Sequence, residues 1–356
     1  MGVRTVGVEE EFLLVDPLNG EPRAIGGAVL LAAADTAGLT GELKREQLET
    51  GTRPCHNLDE LARELHRTRA EARDAARAVG VEPVALATSP LPVVPTLSPS
   101  RRYRRMAERF GLTTSEELTC GCHVHVAVDS DEEGVAALDR IRPWLAPLLA
   151  LSANSPFWNG TDSGYASFRS QVWGRWPSAG PTELFGSPAG YRAVVAAMVA
   201  SDTVLDEAMV YFDARLSSKH PTLEIRVADV CREPDDALLV AALGRALVET
   251  AVRAWQAGHR PDPVRTELLR LASWRAGRSG LDGALLDPSD WRPAPAADVL
   301  HGLVRHVEPV LQDSGELDTV RDLLDALLRR GTGAARQRAV LERTGELRAV
   351  VCDAAG

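Results

Sequence analysis

Strict alternation of apolar and polar positions predicts three β-strands, over residues 5–15, 119–128 and 222–230. Successive side chains of a strand point to opposite faces, so each strand has one apolar face and one polar face. The apolar faces carry Val6, Val8, Phe12 and Leu14 in the first strand, Cys120, Cys122, Val124, Val126 and Val128 in the second, and Leu223, Ile225 and Val227 in the third.

Helical periodicity dominates much of the remaining chain, so the fold is predicted to mix α and β structure. The clearest helix spans residues 57–80, where Asn57 can cap the start, Glu60 follows three residues later and Gly80 can end it. A short strand at 83–87 leads into a loop rich in proline and serine at 88–100. Further helices are predicted at about 131–151, 188–210, 234–257 and 297–328.

A proline-rich break at residues 287–295 suggests how the chain is organised. We predict a catalytic domain over residues 1–290 and a C-terminal helical appendage, residues 291–356, packed on it. Within the first part, the interval 152–186 is long, aromatic, rich in glycine and proline, and weakly periodic. Such an interval inside a compact domain is usually a functional loop.

The polar faces of the three strands carry side chains that suit cations and phosphate: Glu9 and Glu11, then His123 and His125, then Glu224 and Arg226. Carboxylates two apart on a strand converge, and such oxygen donors hold Mg²⁺. Imidazole adds a nitrogen ligand or a neutral hydrogen-bond donor. Glu10 falls on the apolar side unless a bulge shifts it, and whether it replaces Glu9 or Glu11 as a ligand stays open at this point.

Each of these pairs also has an ordinary structural explanation. The acidic run could be a solvated charge cluster, although its apolar flanks favour a site. The two histidines could be a surface pair, and Glu224 with Arg226 a plain ion pair. Cys120 and Cys122 invite a zinc site, but in a strand their thiols point away from the imidazoles, so four tetrahedral ligands cannot meet.

Two further segments contribute candidate side chains. In residues 46–49, Glu49 shares a strand face with Gln47. The aromatic interval contains Arg169 and Arg175, whose guanidinium groups suit a carboxylate or a phosphate bidentately. The alternative is that both arginines merely stack on the neighbouring tryptophans.

Composition narrows the class of protein. The 356 residues are 45% hydrophobic and 25% charged, with a formal charge of −10, which indicates a globular protein and argues against nucleic acid as a partner. No apolar run approaches the roughly 18 residues of a membrane span, so no membrane partner is expected. Five cysteines do not suggest a disulfide framework, so we expect reduced thiols and a cytoplasmic location. Lys44 and Lys219 are the only lysines, and neither follows the glycine that a P-loop requires.

Taken together, the motifs resemble the carboxylate–amine ligase family related to type 2 glutamate–cysteine ligases. The resemblance implies an α+β fold like the catalytic domain of glutamine synthetase, with helices flanking a curved, mainly antiparallel sheet whose concave face holds ATP and Mg²⁺. The segments that carry it, in order over roughly residues 3–290, are Gly7-Val8-Glu9-Glu10-Glu11-Phe12, Gly121-Cys122-His123-Val124-His125-Val126, Ser152-Ala153-Asn154-Ser155-Pro156 with Tyr165 to Pro181, and Leu223-Glu224-Ile225-Arg226.

The resemblance also implies the reaction: ATP phosphorylates a carboxylate, and an amine displaces the phosphate to form an amide. Glutamate and cysteine, giving γ-glutamylcysteine, are the implied substrates, with other small-molecule pairs left open and a homodimer an open option. The implied metal ligands are Glu9, Glu11, Glu49, His123 and Glu224; the implied catalytic groups are Arg169 and Arg226; and the implied nucleotide contacts are His125, Arg175 and Arg226.

The ligase chemistry fits the residues, because phosphoryl transfer needs clustered cations and positioning more than covalent help. One alternative is a metal-dependent amidohydrolase, which also uses two histidines on a strand. There the pair usually closes the first strand of an eightfold β/α barrel, whereas here it lies far from the N-terminus and the strands do not alternate with helices. A second alternative is a non-catalytic nucleotide- or metal-binding protein with the same fold.

Overall fold

A seven-stranded sheet lies at the centre of the computed structural model, which describes residues 3–33 and 38–355. The sheet order is β2-β3-β1-β5-β9-β8, β4 pairs with the end of β1, and all these pairings are antiparallel. The strands of the chain are β1 (Val6–Val15), β2 (Leu39–Thr40), β3 (Gln47–Gly51), β4 (Glu82–Val84), β5 (Gly121–Ala127), β6 (Phe157–Trp158), β7 (Thr161–Asp162), β8 (Ala214–Leu216), β9 (Thr222–Asp229), β10 (Ala284–Leu286) and β11 (Pro293–Pro295).

Helices surround the sheet, as the periodicity predicted. They are α1 (Gly26–Ala32), α2 (Leu58–Arg77), α3 (Arg101–Phe110), α4 (Leu112–Glu116), α5 (Asp131–Ile141), α6 (Leu145–Ser152), α7 (Arg169–Trp173), α8 (Pro188–Ala200), α9 (Pro234–Gln256), α10 (Thr266–Ser279), α11 (Ala296–Asp313), α12 (Leu317–Arg330), α13 (Gly333–Thr344) and α14 (Leu347–Ala355). Short 3₁₀ turns lie at Arg142–Trp144 and Glu207–Met209.

The helix boundaries follow local chemistry. The Asn57 side chain accepts a hydrogen bond of 2.8 Å from the Glu60 backbone N–H, and Gly80 adopts a positive φ of 80° just after α2, as predicted. The helix predicted over 131–151 is instead two helices, because Pro143 has no N–H to continue the first one. The helix predicted over 297–328 is interrupted near Gly315, at φ 71°.

One face of the sheet packs on the long helix α9. The apolar residues of β1, β5 and β9 share a buried cluster with this helix. Gly244 allows the close approach, because a Cβ there would lie 3.2 Å from Ile225 Cδ1 and 3.4 Å from Val124 Cγ1. The opposite face of the sheet is thereby left for the polar side chains.

The C-terminal helices rest on the same core. Buried residues of α11 and α12 belong to the cluster that contains α9, and Gln337 of α13 donates hydrogen bonds of 2.9 and 2.7 Å to the carbonyl and Oδ1 of Asn154. A small hairpin of β10 and β11 lies within the proline-rich break. The division into domains at residue 290 stays a prediction.

Strand β1 separates its three consecutive glutamates between two faces. The Glu10 side chain is only 1% exposed and pairs bidentately with Arg69, at 2.6 Å from Nη2 to Oε1 and 2.9 Å from Nε to Oε2. Arg69 also donates to the carbonyls of Cys231 and Arg232, so the pair ties α2 to the end of β9. Glu10 therefore forms a structural ion pair with Arg69 on the face that packs against helices. It does not share the polar face with Glu9 and Glu11.

The cysteines beside the histidines lie on the packed face too. Cys120 and Cys122 are 1% and 0% exposed and belong to hydrophobic clusters. All five cysteines are free thiols. The interpretation of Cys120 and Cys122 as small buried hydrophobic residues is correct, and they cannot share an ion with the imidazoles.

We expect Arg69→Met to destabilise the protein by about 3–5 kcal/mol, because it leaves the Glu10 carboxylate buried without its partner. Urea denaturation followed by circular dichroism measures this loss. The double variant Arg69→Met/Glu10→Leu should recover a large part of the stability, since it buries no charge. Equal stability of the single and double variants would contradict the assignment.

Candidate active site

The strand register builds a site on the polar face of the sheet. Antiparallel pairing sets Glu9 opposite His123, Glu11 opposite Glu49, and His125 opposite Glu224. The register of β5 against β9 shifts between Cys122 and Val124, which is the irregularity of a β-bulge and falls at His123. Residues that are distant in sequence therefore become direct cross-strand neighbours.

These side chains line a cleft of about 240 Å³. Its floor is formed by β1, β3, β5 and β9, and its walls by α3, the aromatic interval and the loop after β8. The charged and imidazole side chains that line it are Glu9, Glu11, Glu42, Glu49, Glu117 and Glu224, with Arg102, Arg215, Lys219, Arg226, His123, His125 and His220. The structure thus brings seven of the predicted site residues together: Glu9, Glu11, Glu49, His123, His125, Glu224 and Arg226.

Three groups of side chains in the cleft have the spacing of metal ligands, with one ligand atom from each member within 4.8 Å of the others. They are Glu9 with His125 and Glu224, Glu9 with Glu49 and His123, and Glu11 with Glu42 and Glu49. Carboxylate oxygens with a minority of imidazole nitrogens are a donor set that suits Mg²⁺ or Mn²⁺. The side chains present therefore fit divalent cations.

The first two groups meet at Glu9. Its Oε2 lies 3.6 Å from His123 Nδ1 and 3.4 Å from His125 Nε2. Burial pushes the pKa of Glu9 up, but the two imidazoles outweigh it and the net pKa lies well below the usual value. Burial, reinforced by the Arg226 charge, lowers the pKa of His123 to about 4, so this imidazole is neutral at pH 7. A carboxylate beside the neutral imidazole of His123 is ready to accept a cation.

The third group places carboxylates against one another. Burial and the Glu49 charge raise the pKa of Glu11 to about 7. Burial, with the charges of Glu49 and Glu11, raises the pKa of Glu42 well above its usual value. Burial, with the charge of Glu9, raises the pKa of Glu49. Carboxyl groups that repel one another in this way are stabilised by any cation that enters between them.

Two arginines hold the carboxylate on β9. Glu224 Oε2 accepts a hydrogen bond of 2.7 Å from Arg215, and Glu224 Oε1 accepts one from Arg226. Burial alone would raise the pKa of Glu224, but the charges of Arg226 and Arg215 keep it well below the usual value. The Arg226 guanidinium carbon lies 5.6 Å from the centre of the Trp173 ring, and its Nε has no partner although it is buried. Arg226 therefore retains a donor for a ligand.

A second cavity, of about 470 Å³, adjoins the cleft across Trp173 and Arg226. Its charged lining consists of four arginines and one acid, namely Arg169, Arg175, Arg226, Arg270 and Asp213. Burial raises the pKa of Asp213 to about 7, against the opposing charges of Arg270 and Arg169. The cavity is cationic overall and includes one carboxyl group, whereas the cleft is acidic.

Arg169 lies in this second cavity, beside the carboxylates. A Cβ at Gly121 would overlap Arg169 Nη2, so a larger residue there would displace the guanidinium group. The Gly121 N–H donates a hydrogen bond of 2.6 Å to Glu11 Oε2. Asp229 lies 3.9 Å from Arg169 and also accepts hydrogen bonds from the Asn154 N–H and the Ser155 and Ser167 hydroxyls. Part of the Ser152–Pro156 motif thus anchors β9 next to Arg169.

Arg175 is placed differently from the other predicted residues. Its Nη1 pairs with Glu116 at 2.6 Å, and its guanidinium carbon lies 6.0 Å from the Trp158 ring centre. It lines the second cavity and does not reach the cleft. Contact of Arg175 with a nucleotide stays a prediction, and its position gives that role no support.

Sequence reasoning missed several residues of the cleft. Glu42, Arg102, Arg215, Lys219 and His220 line it, yet none belongs to an alternating strand motif. Glu42 lies in the turn between β2 and β3, and Lys219 and His220 lie in the turn between β8 and β9. A turn has no period from which a facing direction can be inferred, and only the acidic or basic character of these residues gave a signal.

Solved structures show which fold the chain adopts. The chain superposes on a glutamate–cysteine ligase from Francisella tularensis in complex with AMP, with a TM-score of 0.70 and 14% identity, covering 100% of this chain and 88% of that one. It also superposes on a bifunctional glutathione synthetase from Pasteurella multocida, with a TM-score of 0.72 and 16% identity, covering 99% of this chain and 52% of that one. The predicted fold class is confirmed.

The sequence gives the family: the chain belongs to glutamate–cysteine ligase family 2, whose family model matches residues 5–353. It is 56% identical over 355 residues to a provisionally named glutamate–cysteine ligase 2-1 of Streptomyces avermitilis, covering 99% of this chain and 98% of that protein. It is 54% identical over 353 residues to a provisionally named glutamate–cysteine ligase 2 of Streptomyces coelicolor, covering 98% and 97%.

The predicted class of enzyme, a ligase of the glutamate–cysteine type, is therefore confirmed. The β/α-barrel hydrolase is wrong, because the strands of the main sheet in the described residues pair antiparallel and not in parallel. Among the residues that the structure describes, no helix is both long and apolar enough to cross a membrane. The cytoplasmic location and the homodimer stay predictions.

We expect Glu49→Gln to stabilise the protein in excess EDTA at pH 8 by about 1–2 kcal/mol, a rise in Tm of about 2–4 °C. The pKa values of Glu11, Glu42 and Glu49 are raised in the folded protein, to about 7 for Glu11. The metal-free protein therefore loses stability as the pH rises from the usual pKa of glutamate through these raised pKa values. The variant removes one repelling charge.

Differential scanning calorimetry at pH 8 and pH 5 tests this expectation. At pH 5 the difference should be smaller, since the raised pKa values favour the protonated, uncharged carboxyl groups at lower pH. Glu132→Gln, at an exposed position on α5, is the matched control and should change neither value. A Glu49→Gln variant that is less stable at pH 8 would show that the carboxylates do not repel one another.

Proposed function

We propose that the protein uses ATP and Mg²⁺ to activate the side-chain carboxylate of glutamate as an acyl phosphate, which the amine of cysteine then attacks to give γ-glutamylcysteine. The observation that carries the proposal is the acidic cleft: six carboxylates and three imidazoles in a space of about 240 Å³. Family membership supplies the ligase class, and the Francisella relative was solved with AMP, which supports nucleotide use.

The three ligand groups in the cleft would hold the cations. Glu9 with His123, His125, Glu49 and Glu224 fits one or two ions, and Glu11 with Glu42 and Glu49 fits another. Mg²⁺ at these positions would neutralise the phosphate oxygens of ATP and the charge that develops during phosphoryl transfer. Glu42 was not among the metal ligands that the family resemblance implied.

The arginines between the two cavities suit the reacting carboxylate. Arg226 retains an unpartnered buried Nε, and so does Arg169. Both guanidinium groups lie where the acidic cleft meets the cationic cavity, so they can hold a carboxylate next to phosphate and stabilise the departing phosphate by charge. Holding the two reactants in contact replaces an unfavourable encounter in solution.

The second cavity suits the amino-acid part of the substrate. Three arginines besides Arg226 face one acid there, so an α-carboxylate can bind to guanidinium groups while an α-ammonium group approaches Asp213. Trp173 and Trp274 close part of the wall, which limits the access of water to the reactive intermediate. The arrangement favours an amino acid with a second carboxylate, as glutamate has.

We expect Glu42→Gln, Glu49→Gln and Glu224→Gln each to lower ADP formation by at least about 100-fold, because each removes a charged ligand from the cations. A coupled ADP-release assay with glutamate, cysteine, ATP and Mg²⁺, with mass detection of the amide, measures the effect. Glu132→Gln should retain full activity. Near-normal turnover of all three variants would remove the cation site from the proposal.

We expect Arg270→Met and Asp213→Asn each to raise the KM for glutamate by about tenfold while the KM for ATP stays within about twofold, because each removes one charged contact to the substrate. Arg292→Met, at an exposed position outside both cavities, is the control. An equal rise in the KM for ATP would instead assign this cavity to the nucleotide.

A further inference from the structure

A third cavity lies apart from the two already described and shares no lining residue with them. It has a volume of about 280 Å³ and lies between α5 with its following 3₁₀ turn, α9, the segment after α9 and α11. Most of its wall is apolar, including Ile141, Pro143, Leu247 and Ala251. Neither the ligase reaction nor its proposed substrates involve this part of the molecule.

Two polar side chains in this wall each have one buried atom without a hydrogen-bond partner. Among the described residues, six buried side-chain nitrogen or oxygen atoms have no hydrogen-bond partner. Three of them, on His125, Arg169 and Arg226, line the cleft or the adjoining cavity, where a ligand is expected. Two others, Arg140 Nε and Thr250 Oγ1, belong to residues that line the third cavity. A buried polar atom without a partner costs about 1–3 kcal/mol, and a bound ligand can remove that cost.

Arg140 also lacks a counter-charge. Its two terminal nitrogens donate to the backbone carbonyls of Ala136 and His259, and none of the ion pairs in the described residues involves it. The adjacent Asp139 carboxylate is already used by the backbone N–H groups of Phe185 and Gly186, at 2.8 Å each. The acid in the cavity wall, Asp262, accepts from the Val264 N–H. The guanidinium charge therefore remains available to an anion.

An aromatic pair completes the wall. The rings of Trp144 and His306 are stacked, with centroids 4.7 Å apart and an angle of 21° between the planes. Burial lowers the pKa of His306, which favours the neutral form of its ring. The cavity thus offers the guanidinium groups of Arg140 and Arg260, the hydroxyls of Thr250 and Ser289, the Asp262 carboxylate and a largely apolar or aromatic surface.

We propose that this cavity binds a small carboxylate-bearing molecule with an apolar body, whose carboxylate contacts Arg140 Nε and the Thr250 hydroxyl. An inorganic anion would satisfy the charge but leave the apolar wall uncovered, and a neutral apolar molecule would leave both polar atoms without partners. Arg142, two residues from Arg140, donates to the Thr182 carbonyl next to the second cavity, so the site borders the segment that shapes the substrate region.

Ligand-observed NMR titration of the full chain with benzoate tests the proposal, with benzamide as the neutral isostere and phosphate as the inorganic anion. We expect benzoate to bind at least about tenfold more tightly than benzamide or phosphate. Arg140→Met and the smaller change Thr250→Val should each weaken benzoate binding by about tenfold. Arg63→Met, at an exposed position outside the cavities, should leave it unchanged.

Arg270→Met separates this site from the cationic cavity next to the cleft. If benzoate binding falls in Arg270→Met and not in Arg140→Met or Thr250→Val, the anion occupies the substrate region and the proposal is overturned. Absence of benzoate binding, or binding equal to that of benzamide, overturns it as well. Thermal unfolding of each variant verifies that it is folded. If Arg140→Met does not fold, benzoate binding by Thr250→Val tests the proposal by itself.

Discussion

The repulsion among carboxylates on one face of a sheet is the constraint on which the rest of the site depends. Antiparallel register sets Glu11 against Glu49, and the adjoining turn adds Glu42. Burial, together with the neighbouring charges of the same sign, raises the pKa values of these carboxyl groups, and this destabilises the fold in the absence of cations. Packing on the other face of the sheet, where β1, β5 and β9 contact α9, offsets this loss of stability.

The two faces of β1 show how this division works residue by residue. Glu9 and Glu11 point into the cleft, while Glu10 between them pairs with Arg69 and fastens the sheet to α2. The ion pair fixes β1 on its packed face, at the residue between the two glutamates that are repelled by neighbouring carboxylates on the cleft face. Asp229 plays a comparable part on β9, because its hydrogen bonds with Asn154, Ser155 and Ser167 fix the segment that leads to Arg169. Positioning is thus achieved with buried polar groups that never meet a ligand.

The sequence was sufficient for the parts of the site that lie on regular strands. Alternation assigned Glu9, Glu11, His123, His125 and Glu224 to one side, and the register then brought them together. It was insufficient for side chains on turns, such as Glu42 and Lys219, because their direction depends on how the strands curve and pair. The proline at 143 and the glycine at 315 divided two predicted helices, since periodic apolar residues on both sides of a break look continuous. Arg175 had the right chemistry, but its partner Glu116 holds it outside the cleft.

The buried thiols have a consequence for an enzyme that is proposed to handle cysteine. Burial raises the pKa of Cys55 to about 11 and that of Cys120 well above the usual value. A hydrogen bond with Cys122, together with burial, does the same for the pKa of Cys231, and only Cys352 is partly accessible. A thiol that stays protonated and enclosed cannot exchange with disulfides in its surroundings. The four buried thiols are therefore insulated from the proposed substrate, so oxidised cysteine around the protein cannot form mixed disulfides within the core, and only Cys352 is open to exchange.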